Sequence, residues 1–245
     1  KALARQVVAQ FELRRALAEA QRSNNDLDGF ASIAAHDLRA PLRGIDQLAG
    51  FIQEDCANIL PPSSQDCLGK LRSRVKRLDG MLQGLLSYSR LGHGNTEREL
   101  LNPRPLLEAV IDMVIPMDKF SVTLPEKMPH IFAADAKFNL VFRNLLANVV
   151  KHHDEERWQV VVTSEIYDDM VTIAVEDDGP GIPSEQQQRV FQLFTTLNAR
   201  DDVESSGMGL ALVKRAIEGE GGSVFFENLA GRGTKVITTW MMGKA

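Results

Sequence analysis

A histidine followed directly by an aspartate, His36 and Asp37, is the first pair in the chain whose side chains could do chemistry together. A neutral imidazole is a nitrogen nucleophile near neutral pH, and a neighbouring carboxylate can orient it or accept its proton. Apolar residues around the pair have helical spacing, and Pro41 follows one turn later. Because proline has no amide hydrogen to give the carbonyl of Asp37, the sequence predicts a helix that bends after His36. The alternative is an ordinary helical histidine beside an incidental kink.

Asn144, Asn148 and Lys151 form a second polar set, whose spacing places them on one face of a predicted helix. Amide oxygens are neutral hard ligands that suit Mg²⁺, and an ammonium group can bind phosphate. Asparagine is a poor helix former, so two on one helix indicate a functional reason. The alternative is the polar outer stripe of an amphipathic helix.

Asp177 follows a predicted buried strand and opens the sequence DDGPGI, which contains Gly179 and Gly181. Glycines there let a ligand ring approach the backbone. A carboxylate at the strand end can accept a hydrogen bond from the exocyclic amine of adenine, whereas guanine presents a carbonyl and would be rejected. The segment therefore favours an adenine site, although similar sequences also occur in simple turns.

Gly207 and Gly209 open another predicted helix, and backbone amides exposed at a helix N-terminus bind phosphate groups. Residues 195–206, just before them, are polar and without periodicity, a pattern typical of a mobile lid. Arg200 lies within this predicted lid, where it could reach a phosphate. Gly231 to Thr234 are most simply a hairpin turn.

The His36 pair must be positioned by long helices. Its helix is predicted to continue to about residue 60, where Pro61 and Pro62 mark a turn before a second helix. From Leu68 the apolar residues alternate spacings of three and four, the pattern of a helix-bundle seam. Since two antiparallel helices alone bury too little core, we predict that the hairpin pairs with a second copy in a dimeric four-helix bundle.

The other polar sets lie after residues 91–95, a predicted hinge with two glycines. The composition changes there, which indicates a second domain of a different architecture. Helices and short strands alternate from there on. This order predicts an α+β sandwich with helices on one face of a mixed sheet. The predicted helices are 103–115, 136–151 and 207–218, and the predicted strands are 120–124, 130–133, 160–166, 171–176, 223–227 and 234–240.

Composition excludes several functions. The chain has 245 residues and a net charge of −5, so it lacks the basic excess that a nucleic-acid partner requires. No apolar run approaches the ~18 residues of a membrane-spanning helix. Two cysteines, Cys56 and Cys67, are too few for a disulfide framework or a zinc site and suit a reducing compartment. We expect a cytoplasmic chain, and its start at Lys1 in a helical pattern suggests a fragment of a longer protein.

Six motifs in sequence order resemble the catalytic core of a sensor histidine kinase, a likeness that covers nearly all of residues 24–241. They are HDLRAP, NLLANVVKH, DDGPGI, FQLF, GMGLALVK and GRGT. The resemblance implies a dimerisation and histidine-phosphotransfer domain at 29–94 and a Bergerat-type ATP-binding domain at 95–245. Residues 1–28 would be a coiled-coil signalling helix, and their start resembles the closing helix of a GAF sensor domain.

The family implies ATP-dependent autophosphorylation within a homodimer and transfer to an aspartate of a response regulator receiver domain. By position, His36 would be the phosphoacceptor and Asp37 its base, Asn148 would ligate Mg²⁺, and Asp177 would read adenine. The other residues implied in ATP binding are Asn144, Lys151, His152, Gly179, Gly181, Arg200, Gly207, Gly209, Leu210 and Thr234.

Two departures from the family pattern concern function. His152 stands where the family often has an aromatic residue that packs on adenine, although a histidine ring can stack too. Ala40 replaces the Thr or Asn common four residues after the histidine, and this position bears on phosphatase activity.

Two other functions stay open at the level of sequence. A conformational ATPase of the gyrase or chaperone kind would need no nucleophile, and His36 beside Asp37 argues against it. A pseudokinase scaffold would dimerise without turnover, and the intact Asn148 and Asp177 argue against that.

Overall fold

The computed structural model describes residues 35–91, 97–116, 120–154, 157–196, 206–229 and 231–243, together with Arg15. Most of the predicted N-terminal helix, including the GAF-like segment, therefore lies outside the described residues. The two glycines of the predicted hinge and the predicted lid residues 197–205, with Arg200, lie outside them as well.

Residues 35–91 form a helical hairpin. Helix α1 is described from residue 35 to residue 55 and includes His36 and Pro41, and helix α2 is Pro62–Leu91. The prediction that α1 continues to residue 60 is wrong. The chain turns at residues 56–59, where the Gln65 side chain donates to the carbonyl oxygens of Ala57 and Leu60 at 3.0 and 3.2 Å. The predicted start of the second helix at the proline pair is confirmed.

Two ion pairs join the helices of the hairpin. Arg39 Nε lies 3.1 Å from Asp79 Oδ1, and Arg72 Nε lies 3.0 Å from Asp46 Oδ1. All four side chains are about a third exposed, so each pair contributes at most about 1 kcal/mol. The pairs set the register of α1 against α2 more than they stabilise it.

The described residues from 97 onward form an α+β sandwich, as predicted. Its main sheet has five strands: β2 Phe120–Thr123, β4 Trp158–Tyr167, β5 Met170–Asp177, β6 Val224–Glu227 and β7 Thr234–Met241. Their order in the sheet is β2-β4-β5-β7-β6, in which β2 is parallel to β4 and the other neighbours are antiparallel. The predicted strand at 130–133 is β3, Ile131–Ala133, which pairs instead with a strand that the sequence analysis missed, β1, Glu99–Leu101.

Three longer helices accompany the sheet: α3 Pro103–Val114, α4 Asp135–His152 and α6 Gly209–Gly219. A short helix α5, Ser184–Gln187, and a 3₁₀ turn, Arg189–Phe191, lie between β5 and α6. Asn102 caps α3 through its side chain, and Pro103 occupies the first helical position, where its missing N–H costs nothing.

The core lies between these helices and one face of the sheet. Phe138 and Phe142 of α4 pack against Trp240 of β7, with ring centroids 5.4 and 6.1 Å away, and all three residues are fully buried. The Trp240 Nε1–H donates to Thr238 Oγ1 at 3.0 Å, and this hydroxyl donates to the Ile173 carbonyl at 2.9 Å. These two hydrogen bonds satisfy the polar groups of Trp240 and Thr238, and the ring contacts fix α4 over β7.

A buried ion pair connects the start of α4 to the end of α6. Lys137 Nζ donates to Glu220 Oε1 at 2.7 Å, and the Glu220 side chain is 1% exposed. The second carboxylate oxygen accepts from the Ala134 N–H at 3.3 Å and lies 3.1 Å from Arg98 Nε. The pair fixes the two helices that flank the cavity described below.

We expect Glu220→Gln to lower the free energy of unfolding by about 3–5 kcal/mol, because it leaves the Lys137 ammonium buried without its charged partner. Glu218→Gln on the same helix is the matched control, since its pair with Lys214 is half exposed and contributes less than about 0.5 kcal/mol. Denaturant unfolding measures both. Equal effects of the two substitutions would contradict the assignment.

Candidate functional site

A cavity opens where the C-terminal half of α4, the end of β5, the start of α6 and β7 meet. Its inner wall is apolar and includes Leu145, Val175 and Val236. Of the residues that the sequence assigned to nucleotide binding, those that line it are Asn148, His152, Asp177, Gly181, Gly207, Gly209, Leu210 and Thr234. A largely apolar pocket with a few convergent polar groups suits a flat aromatic ligand.

The predicted α4 face is only partly directed at this cavity. A Cβ atom added to Gly209 would lie 3.2 Å from Asn144 Oδ1 and 3.6 Å from Asn148 Oδ1, so both amide oxygens face the start of α6. The Asn144 side chain also donates back to the Leu140 carbonyl at 2.8 Å. Lys151 is exposed and, within the described part of the chain, is not among the lining residues.

The two asparagine oxygens fit a role at Mg²⁺. Among the described residues, no cluster of three His, Cys, Asp or Glu side chains could hold a metal by itself. Mg²⁺ usually keeps several waters and binds through few protein ligands plus the phosphates of its substrate. The neutral amide oxygens beside Gly209 match that chemistry, because the negative charge would come from the nucleotide.

Asp177 is the last residue of β5 and its carboxylate lines the cavity. Its Oδ1 accepts a hydrogen bond from the Gly179 N–H at 3.0 Å. Burial raises the pKa of the Asp177 carboxyl above its ordinary value, although the backbone N–H groups of Gly179 and Thr234 act in the opposite direction. A partly buried carboxylate that lines the cavity is suited to accept from an exocyclic amine.

The start of α6 is built on close backbone approach. Gly207 has φ +67°, and a Cβ there would lie 2.7 Å from the Thr195 nitrogen. This left-handed residue cannot be helical, so α6 begins at Gly209 and the predicted start at residue 207 is wrong. In the part of the chain that the structure describes, no side chain caps the first turn of α6. Its amide groups are therefore suited to an anionic ligand.

Two histidines follow one another at the end of α4. Burial, and then the Lys151 charge, lower the pKa of His152 below its ordinary value, so its ring is neutral at neutral pH and can stack on a base. His153, which the sequence analysis did not assign to the site, also lines the cavity and contacts Asp178. The sequence shows only that a second histidine follows His152, and no motif or spacing indicates that His153 belongs to the site.

His36 and Asp37 lie on α1, outside this cavity. Their side chains are 84% and 72% exposed, and His36 Nδ1 lies 3.2 Å from Asp37 Oδ1. When Nδ1 carries the proton it donates to the carboxylate, and Nε2 keeps its lone pair for attack. The arrangement is that of an accessible nitrogen nucleophile with an adjacent base.

Helix α2 contacts the start of α6. Met208, between the two glycines, is 1% exposed, and a Cβ on Gly84 would lie 2.5 Å from Met208 Cγ. The Arg215 guanidinium lies 5.2 Å from the centroid of the Tyr88 ring, a cation–π contact between the same helices. The helical hairpin therefore contacts the segment that bounds the cavity at the start of α6.

Two family models match the chain. Residues 26–94 match the "His Kinase A (phospho-acceptor) domain", and residues 134–243 match the "Histidine kinase-, DNA gyrase B-, and HSP90-like ATPase". The chain belongs to the sensor histidine kinases and is a catalytic core of that family.

Curated relatives cover almost the whole chain. Cyanobacterial phytochrome B of Nostoc sp. is 28% identical over 228 residues, which are 91% of this chain and 30% of the relative. The methanogenesis regulatory histidine kinase FilI of Methanothrix harundinacea is 29% identical over 237 residues, 95% of this chain and 26% of the relative. The chain thus spans less than a third of the length of these two relatives.

Solved structures share the fold. The full-length ShkA in complex with AMPPNP has a TM-score of 0.61 and 23% identity, covering 88% of this chain and 46% of that one. The histidine kinase AdeS of Acinetobacter baumannii has a TM-score of 0.58 and 21% identity, covering 85% of this chain and 98% of that one. In the described residues of the present chain, no helix has the length and apolar character to span a membrane.

The raised pKa of Asp177 predicts how adenine-nucleotide affinity depends on pH. As pH falls through that pKa the carboxyl gains a proton and becomes a weaker acceptor, so ADP affinity should fall about tenfold or more, at a higher pH than for an ordinary aspartate. Asp177→Asn has no proton to gain and should lack this step. Calorimetric titration of both proteins with ADP measures it.

Protonation of the ADP phosphates and of His152 is common to both proteins and cancels in the ratio of their affinities. A ratio that does not change with pH would show that Asp177 does not contact the base.

Proposed function

We propose that the chain is an ATP-dependent protein-histidine kinase that phosphorylates His36 and passes the phosphoryl group to an aspartate of a response regulator receiver domain. One observation carries the proposal. An exposed histidine with its own carboxylate lies on a helical hairpin whose second helix packs against Met208, and the glycines on either side of Met208 line the cavity that contains Asp177.

Each part of ATP has a counterpart in the site. The base would lie in the apolar pocket with its exocyclic amine at Asp177 and the His152 ring against it. The phosphates would lie at the start of α6, where Gly207 and Gly209 leave the backbone accessible. Asn148, assisted by Asn144, would hold Mg²⁺, which would neutralise charge on the phosphates as the reaction proceeds.

The transfer step needs little covalent chemistry from the protein. His36 Nε2 attacks the γ-phosphorus, the bond from that phosphorus to the β–γ bridging oxygen breaks, and ADP leaves with the electron pair. The Nδ1 proton can move to Asp37, so that the phosphohistidine is neutral at the ring. Positioning and charge stabilisation would supply most of the rate, as in other phosphoryl transfers.

Residues 195–206 would act as a lid, and Arg200 within this segment would contact a phosphate. Lys151 would approach the phosphates only after a movement of its exposed side chain. Leu210 and Thr234, which line the cavity, would shape the base pocket, together with Gly179 and Gly181.

A homodimer completes the proposal. Helix α1 exposes Leu38, Ile45, Leu48 and Ile52, whose sequence spacings of seven, three and four place them on one face. Helix α2 exposes Leu71 and Leu78 seven residues apart in the same way. A second copy of the hairpin would bury these residues in a four-helix bundle.

We propose that the chain consists of three parts: a signalling helix at 1–28, a phosphotransfer domain at 29–94 and an ATP-binding domain at 95–245. The phytochrome relatives support an upstream sensor domain, of the GAF kind, in the full-length protein. ATP as donor and the unbridged Cys56 and Cys67 support a cytoplasmic location.

Incubation with γ-labelled ATP and Mg²⁺ tests the proposal. We expect an acid-labile, base-stable label on the wild type, none on His36→Gln, and an unchanged ADP affinity in that variant, because the acceptor and the cavity lie on different elements. His130→Gln is the matched control, and it should keep the label.

A label that persists in His36→Gln would contradict the assignment of the acceptor. A wild type that hydrolyses ATP without becoming labelled would be a conformational ATPase, and one that binds ADP without labelling or hydrolysis would be a scaffold.

A further inference from the structure

His153 is a nearly fully buried histidine that the proposed reaction does not use. It follows the last residue of α4, and its side chain is 1% exposed. Its ring stacks on the Trp158 indole at the start of β4, with centroids 4.4 Å apart and planes 13° from parallel. Stacking fixes the plane of the imidazole and therefore the direction in which its nitrogens point.

One ring nitrogen is directed at the loop that follows β5. His153 Nε2 lies 2.9 Å from Asp178 Oδ1, and the same oxygen accepts from the Gln159 N–H at 3.0 Å. Although burial opposes it, these hydrogen bonds hold the pKa of Asp178 below its ordinary value. Because the carboxylate is ionised and can only accept, Nε2 must be the protonated nitrogen that donates.

The Asp178 carboxylate thus joins three elements beside the cavity: the end of α4, the start of β4 and the end of β5. The next residue, Gly179, lies between the side chains of Asp177 and His153. A Cβ there would lie 2.8 Å from Asp177 Oδ1 and 3.2 Å from His153 Cδ2. The His153 ring therefore forms one wall of the turn whose other wall is the base-reading carboxylate.

The other ring nitrogen of His153 faces Asp154, whose carboxylate pairs with Arg232. His153 Nδ1 lies 4.0 Å from Asp154 Oδ1, and Arg232 Nη2 donates to that oxygen at 2.5 Å. Arg232 belongs to the turn between β6 and β7, whose Gly233 approaches the Asp177 carbonyl so closely that a Cβ would lie 2.1 Å from it. Asp154 and the turn between β6 and β7 therefore lie beside the Nδ1 edge of the ring.

We propose that His153 is a positioning residue for base recognition: by donating to Asp178 it fixes the turn after β5, so that the Asp177 carboxylate faces the exocyclic amine of adenine. The inference rests on the proposed function, since it assumes an adenine nucleotide in this cavity. A purely structural role, in which the ring only fills space against Trp158, is the competing account.

Two substitutions separate the donor from the ring. His153→Phe keeps an aromatic ring over Trp158 but has no N–H for Asp178. His153→Gln places an amide nitrogen near the position of Nε2 but has no ring to stack. Affinities for ADP and GDP are measured by calorimetry, and thermal unfolding of each variant reports the loss of packing independently.

We expect His153→Phe to weaken ADP binding by about tenfold, the typical effect of losing a hydrogen bond to a charged group, and to reduce the preference for ADP over GDP. His153→Gln should restore most of that preference even where it lowers the unfolding temperature. Asp178→Ala should resemble His153→Phe, because it removes the oxygen that accepts from His153 Nε2, and the double variant should lose little more, since both changes break one interaction.

An ADP preference unchanged in His153→Phe would overturn the inference, and so would a His153→Gln variant no better than His153→Phe. If His153→Phe does not fold, Asp178→Ala removes the same hydrogen bond at a side chain that is 50% exposed, and an unchanged preference there would overturn the inference equally. A wild type that binds no ADP would overturn the proposed function itself, a result distinct from these.

Discussion

Close approach of backbone at the start of α6 is the constraint on which the site depends. Gly207 takes a left-handed φ against the Thr195 backbone, and Gly209 lies against the amide oxygens of Asn144 and Asn148. A side chain at Gly207 would collide with the Thr195 backbone, and one at Gly209 would crowd the two amide oxygens beside the first turn of α6, where we propose that phosphate binds. The geometry of the site therefore depends on the lack of side chains at Gly207 and Gly209.

The same segment connects the two halves of the molecule. Met208, flanked by those two glycines, is buried against Gly84 of α2, where a Cβ would collide with its side chain. A displacement of α2 thus moves a residue whose neighbours shape the phosphate site. Helix α2 is in turn paired to α1 through Arg39 and Asp79, three residues along α1 from His36. The helix that carries His36 and the start of α6 are consequently linked through side-chain contacts with α2.

Sequence reasoning predicted the layers of the fold and most of its strands, because their periodicity and turn residues are local properties. It missed β1, since three residues carry no pattern and the strand exists only through its pairing with β3. Helical spacing placed Asn144 correctly on its face but could not show that the side chain bonds back to Leu140. The contact of His153 with Asp178 joins residues far apart in sequence, so only the tertiary structure shows it.

A crystal structure of the chain with Mg²⁺ and a non-hydrolysable ATP analogue tests the central claim most directly, because it locates base, phosphates and metal in one measurement. The account predicts the adenine amine within hydrogen-bond distance of Asp177, the phosphates at the first turn of α6, and Mg²⁺ ligated by the Asn148 oxygen. A nucleotide bound elsewhere, or one bound here with its base away from Asp177 and its metal away from α4, would contradict it.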